Sequence, residues 1–119
     1  MTHRVVWFDI PVLDLDRAIE FYSQVLGVKV AKDFPGMPVG VLGHGEGEVS
    51  GCLVETEDTK PSADGILVYL SVEGSLDEAV GKVEKLGGRV IKPKHAIGAY
   101  GHRAIVLDSE GNRIALHER

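Results

Sequence analysis

Apolar and polar positions run through the same order twice. Residues 5–10 (VVWFDI) are rich in β-branched and aromatic side chains and predict a strand. Pro11 removes a backbone donor, so pairing is expected to weaken there. Leu15, Ala18, Ile19, Tyr22, Val25 and Leu26 then recur at helical spacing as one apolar stripe. Asp14 is the expected N-cap, Asp16 complements the helix dipole in the first turn, and Gly27 is the expected C-cap. Short strands are predicted over 28–32, 39–42 and 49–55, separated by a DFPGMP turn and a GHGEGE hairpin loop.

The polar stretch TEDTKPSADG interrupts this order, and the order then begins again. Residues 66–72 predict a strand. Ser75 and Glu78 in SLDE predict a capping box, and Leu76, Ala79, Val80, Val83 and Leu86 form a second helical stripe ended by Gly87 and Gly88. Strands over 90–92, 103–107 and 113–117 follow, with DSEGN as the turn between the last two. The halves are offset by about sixty positions, pairing Val12 with Val72, Leu26 with Leu86, Gly27 with Gly87 and Val30 with Val90. One β-α-β-β-β half leaves a sheet face bare, so two halves or two chains must close on each other. The expected class is α+β: two βαβββ modules (1–56 and 65–119, linker 57–64) in a single domain, their curled mixed sheets lining a cup-shaped cavity.

Composition narrows the function classes. The formal net charge of −5 argues against a nucleic-acid footprint, which needs a basic stripe. Cys52 is the one cysteine, so neither an intrachain disulfide nor a cysteine zinc cluster can form. The opening stretch is broken by Asp9 and does not read as a signal peptide. No apolar run approaches the roughly 20 residues of a membrane span. A cytoplasmic protein with no membrane partner is expected.

The stretches DLDRAIEFYSQVLG and LDSEGNRIALHE, with the doubled module, resemble the vicinal oxygen chelate superfamily, which includes glyoxalase I, extradiol dioxygenases and bleomycin-resistance proteins. The resemblance implies paired cups enclosing a ligand, frequent homodimers and, in metal-dependent members, His and Glu ligands on the first and last strands of each module. Carried onto this chain, those positions fall on Trp7, on Leu67, on Ala115 and near Gly51 or Cys52. Only Cys52 has a donor, whereas a divalent ion needs three or four. No metal at that site, and no other cofactor, is expected.

Strand alternation turns Val5, Trp7 and Asp9 to the cup from one half and Leu67, Tyr69 and Ser71 from the other, with Ala115 and His117 sharing a face of the last strand. Trp7 and Tyr69 fit ordinary packing as well as a ligand platform. Asp9, a mid-strand carboxylate, must be solvated or paired. His102 and Tyr100 border a Gly-rich loop that would gate the cup. Cys52 fits a buried thiol better than a nucleophile. A replacement metal site built from His3 and His117 is geometrically conceivable, since both lie on expected cup-facing strand positions. The candidate ligand-binding residues are Trp7, Asp9, Leu67, Tyr69, His117, His102 and Cys52. They point to a metal-independent protein that binds a small organic ligand, with the cup-facing Asp9 favouring a basic or hydrogen-bond-donating one. A glyoxalase-like lyase, isomerase or dioxygenase, using Asp9 or His117 as acid or base or an unrecognised metal site, is the alternative. A regulatory module with a side-chain-filled cup is a third reading.

Overall fold

In a computed structural model of the chain, which describes residues 4–33, 38–43 and 48–119, each half builds a four-stranded sheet with a helix on one face. Asp9–Pro11 (β1), Leu15–Leu26 (α1), Ala31–Asp33 (β2), Val39–Val41 (β3) and Cys52–Val54 (β4) form the first half. Val68–Ser71 (β5), Leu76–Val83 (α2), Arg89–Ala96 (β6), His102–Leu107 (β7) and Arg113–Glu118 (β8) form the second. The strand orders, β1-β4-β3-β2 and β5-β8-β7-β6, are the same. In both sheets the first strand runs parallel to the last and the other neighbours are antiparallel. The α+β class and the doubled order read from the sequence are those of the folded chain. No described helix is long and apolar enough to cross a membrane.

The two helical stripes meet in one core. Leu15, Ala18, Phe21, Tyr22 and Val25 of α1 join Leu76, Ala79 and Val83 of α2 over Leu53, Leu70, Val106 and Leu116 from the sheets. Phe21 lies outside the predicted stripe yet is fully buried, edge-on to Tyr22 with ring centroids 5.2 Å apart. Burial of one such ring is worth roughly 1.5–3 kcal/mol.

Several boundaries differ from the sequence reading. The first strand is paired only over Asp9–Pro11, and pairing does not weaken at the proline: Val12 N–H still donates to Val54 at 2.8 Å. β1 is an edge strand, so the missing Pro11 donor interrupts no ladder. β6 runs on through Pro93 to Ala96 for the same reason, with register shifts on either side of Lys92 that absorb the proline at a sheet edge. α2 stops at Val83 and tightens into a 3-10 turn over Glu84–Leu86, closed by Gly87 at φ 94°. Most of the DFPGMP and GHGEGE turns, together with His3 and His44, lies outside the described residues.

The helix starts reveal what ties strand to helix. Asp14 caps α1 as expected, accepting from Arg17 N–H at 3.1 Å, and Gly27 takes the left-handed C-cap conformation at φ 68°. The Ser75–Glu78 capping box does not form: Ser75 turns its hydroxyl back to Val72 O at 3.2 Å. Glu118, at the end of β8, accepts from Leu76 N–H at 3.1 Å instead. Glu55 after β4 does the same for Leu15 N–H at 3.2 Å. In each module a carboxylate beside the last strand satisfies an orphan donor of the helix.

Candidate functional site

The face of each sheet away from its helix carries candidate residues in two groups, Asp9 and Cys52 in the first sheet and Tyr69 and His117 in the second. In the first sheet Asp9 stands opposite Cys52 in the β1–β4 register, and the Cys52 thiol donates to Asp9 Oδ1 at 3.2 Å. Cys52 is buried, and burial raises its pKa; the Trp7 side chain opposes the rise and the Asp9 carboxylate adds to it. The thiol is therefore held protonated rather than activated. Trp7 remains 41% exposed, so it is not core filling.

In the second sheet the equivalent register sets Tyr69 opposite Ala115. The correspondence of Asp9–Cys52 with Tyr69–Ala115 identifies Cys52, rather than Gly51, as the first-module counterpart of Ala115. Tyr69 and His117 meet edge-on, with ring centroids 6.2 Å apart. His117 Nε2 donates to the Tyr100 carbonyl at 2.6 Å, which leaves Nδ1 as an acceptor when the ring is neutral. With Ile97 and Arg103 these residues line a cavity of about 480 Å³.

The two groups line separate cavities. Asp9 borders a hollow of about 300 Å³ shared with Lys60, Asn112 and Arg113. Leu67 lines a larger apolar groove of about 890 Å³ with Val5, Phe8, Leu42 and Ile66, and Tyr69 stands at the border of both. His102 is paired with Glu118 and Ala96 as the first residue of β7, on the strand face of Ala104 and Val106 rather than that of Arg103. It borders the Gly98–Tyr100 turn and Gly101, as the sequence placed it, but its side chain lies on the opposite strand face from Arg103.

Sequence reasoning passed over Arg103 and His95. Alternation along HRAIVL and RIALHE was the signal: Arg103 pairs with His117 on one side and His95 on the other. It also treated DSEGN as a plain turn. Asp108, Glu110 and Asn112 of that turn are buried and join the modules. Glu110 accepts from the backbone N–H groups of Leu13 and Asp14 at 2.8 and 2.9 Å and pairs with Arg17 at 2.7 Å. Burial alone would raise the Glu110 pKa, but the bonds from Arg17, Ser109, Asp14 and Leu13 outweigh it and bring the value to about 2.

The residues fit a metal ion poorly. Trp7, Leu67 and Ala115 supply no suitable donor, and among the described residues no three His, Cys, Asp or Glu side chains are grouped to hold one.

The model of the Glyoxalase/Bleomycin resistance protein/Dioxygenase superfamily matches residues 4–116. No curated protein matches the chain. Among solved structures, a glyoxalase/bleomycin resistance protein from Albidiferax ferrireducens is similar with a TM-score of 0.76 at 16% identity, covering 98% of this chain and 99% of that one. A hypothetical protein from S. aureus gives 0.70 at 22% identity, covering 98% and 94%. A mutant of glyoxalase I from Zea mays gives 0.67 at 21%, covering 95% of this chain and 46% of that one.

Proposed function

The chain belongs to the Glyoxalase/Bleomycin resistance protein/Dioxygenase superfamily, and from that premise we propose that it binds a small organic molecule without using a metal ion. One observation carries this reading. Trp7, Cys52, Leu67 and Ala115 stand where the family resemblance implies metal ligands, and the single donor among them is a buried thiol hydrogen-bonded to Asp9. The open sheet faces instead offer aromatic rings beside a few polar groups, the mixture that small-molecule pockets use. Tyr69 supplies a ring face, His117 Nδ1 an acceptor, and Arg103 donors.

The reading includes a homodimer in the cytoplasm. Val5, Val6, Trp7 and Ile66 are exposed apolar side chains, and covering them with a second copy would remove that surface from water. Sizing chromatography with light scattering tests this part; a monomer at micromolar concentration removes it.

Elemental analysis of protein purified without chelator, paired with a thermal-shift screen of small molecules, tests the main claim. The expected result is no stoichiometric metal and at least one ligand that raises the melting temperature of metal-free protein. Stoichiometric zinc, nickel, manganese or iron would overturn it in favour of a lyase, isomerase or dioxygenase.

A further inference from the structure

We propose that the cavity on the open face of the second sheet takes a planar organic carboxylate, with Arg103 as the residue that selects it. This rests on the small-molecule reading above and adds the charge of the molecule. His95, Arg103 and His117 are register partners on β6, β7 and β8, so their side chains share one face across three adjacent strands. Arg103 Nε donates to His95 Nε2 at 3.0 Å, and Nη1 donates to the Tyr69 hydroxyl. The guanidinium carbon also stands 5.8 Å from the centroid of the Tyr69 ring. None of these partners is an anion. Among the described residues no carboxylate forms an ion pair with Arg103, whereas Arg17, Lys32 and Lys94 each have one.

His95 shows how the guanidinium is held. Its Nδ1 lies 2.9 Å from the Pro93 carbonyl, which only accepts. Nδ1 therefore carries the proton, and Nε2 is the acceptor that fixes Arg103 Nε. His95 is a positioning residue: it orients the fork without neutralising it. Two of the five guanidinium N–H donors are engaged in this way, and three remain for a ligand. A carboxylate matches that planar fork in bidentate geometry. The walls of the cavity, Tyr69, Tyr100 and Ile97, are aromatic and aliphatic, so they suit a flat apolar body attached to the acid. At about 480 Å³ the cavity falls within the roughly 300–1,000 Å³ of small-molecule sites. The net charge of −5 works against an anion overall, so the attraction has to come from Arg103 itself.

Three probes of one shape and different charge test the proposal: benzoate, benzamide and benzylammonium. Each is titrated into the full chain while the His117 imidazole and Tyr69 ring resonances are followed by NMR. Benzoate is expected to bind at least tenfold more tightly than benzamide, with benzylammonium weakest. Arg103→Gln is expected to bring benzoate down to the benzamide level, and Arg103→Lys to restore part of the difference. The comparison of probes on the unaltered chain needs no variant, so misfolding of Arg103→Gln would not rescue the idea. If benzamide or benzylammonium binds as tightly as benzoate, carboxylate selection is wrong and the small-molecule reading stands. If no probe shifts these resonances at tens of millimolar, both fail at this face.

Discussion

Tyr22 on α1 donates its hydroxyl hydrogen to Asp108 at 2.5 Å, across 86 positions of sequence and from one module to the other. Both residues are buried. Asp108 also accepts from the backbone N–H groups of Glu110 and Asn112 and from the Asn112 amide at 2.8–3.0 Å. Tyr22→Phe is expected to cost about 1 kcal/mol, since Asp108 keeps its other donors. Asp108→Ala strands several buried donors and should cost about 2–4 kcal/mol. Urea unfolding of the two variants measures the contrast. Equal midpoints would show that Asp108 does not organise the junction.

Burial, reinforced by Asp108, raises the Tyr22 pKa well above its ordinary value. A phenol whose folded pKa is raised contributes stability that is present below its unfolded pKa, about 10, and lost as pH climbs beyond it. Ionisation of Tyr22 should therefore coincide with alkaline unfolding when tyrosinate absorbance and circular dichroism are recorded together. Reversible ionisation of all three tyrosines in the folded state would contradict the buried placement.

Glu110 behaves in the opposite sense. Its folded pKa of about 2 lies below the unfolded value, so its contribution is complete above roughly pH 5 and disappears as pH falls toward 2. The contribution is on the order of 2–3 kcal/mol because the carboxylate is buried while its partner Arg17 is half exposed. Glu110→Gln should be less stable at pH 7 and should flatten the loss between pH 5 and 2. Unfolding midpoints across that range provide the measurement; parallel profiles would reject the assignment.

Gly101 precedes β7 at φ 97°, and a Cβ there would overlap the Glu118 carbonyl and the Arg119 backbone. Gly101→Ala is expected to destabilise the chain by about 1–3 kcal/mol through a disfavoured backbone conformation and this contact. It should also displace the adjacent Tyr100 carbonyl from His117, which imidazole nitrogen shifts would report. A variant with unchanged melting temperature and shifts would mean that this turn yields freely.

Cys52 should react slowly with thiol reagents at pH 8 in the folded chain and readily in urea. Burial is the largest cause of the raised pKa, and the hydrogen-bonded Asp9 carboxylate also favours the protonated thiol. Stoichiometric labelling within seconds in native buffer would place the thiol in the open.

How much was legible depended on range. Gly27, Asp14 and the helical stripes were readable because a cap or an amphipathic face is specified within a few residues. The capping box was misread because Ser75 and Glu78 have the right spacing, while the carboxylate that satisfies Leu76 N–H comes from Glu118, 42 positions away. The role of DSEGN was hidden for the same reason: its partners, Leu13, Asp14, Arg17 and Tyr22, belong to the other module. Among the candidate residues, the shared face of Tyr69 and His117 followed from alternation, whereas placing Arg103 beside them needed the pairing of β7 with both β6 and β8.

By itself the sequence determined the two-module order, since hydrophobic periodicity, caps and the sixty-residue repeat are local properties that each segment carries wherever it docks. Only the tertiary structure decided which polar groups meet. It sent Asp9 to Cys52, Glu110 to Arg17, and Arg103 to Tyr69 and His95. The physical reason is that a hydrogen bond or ion pair depends on distances of about 3 Å, which chain spacing does not specify and packing does.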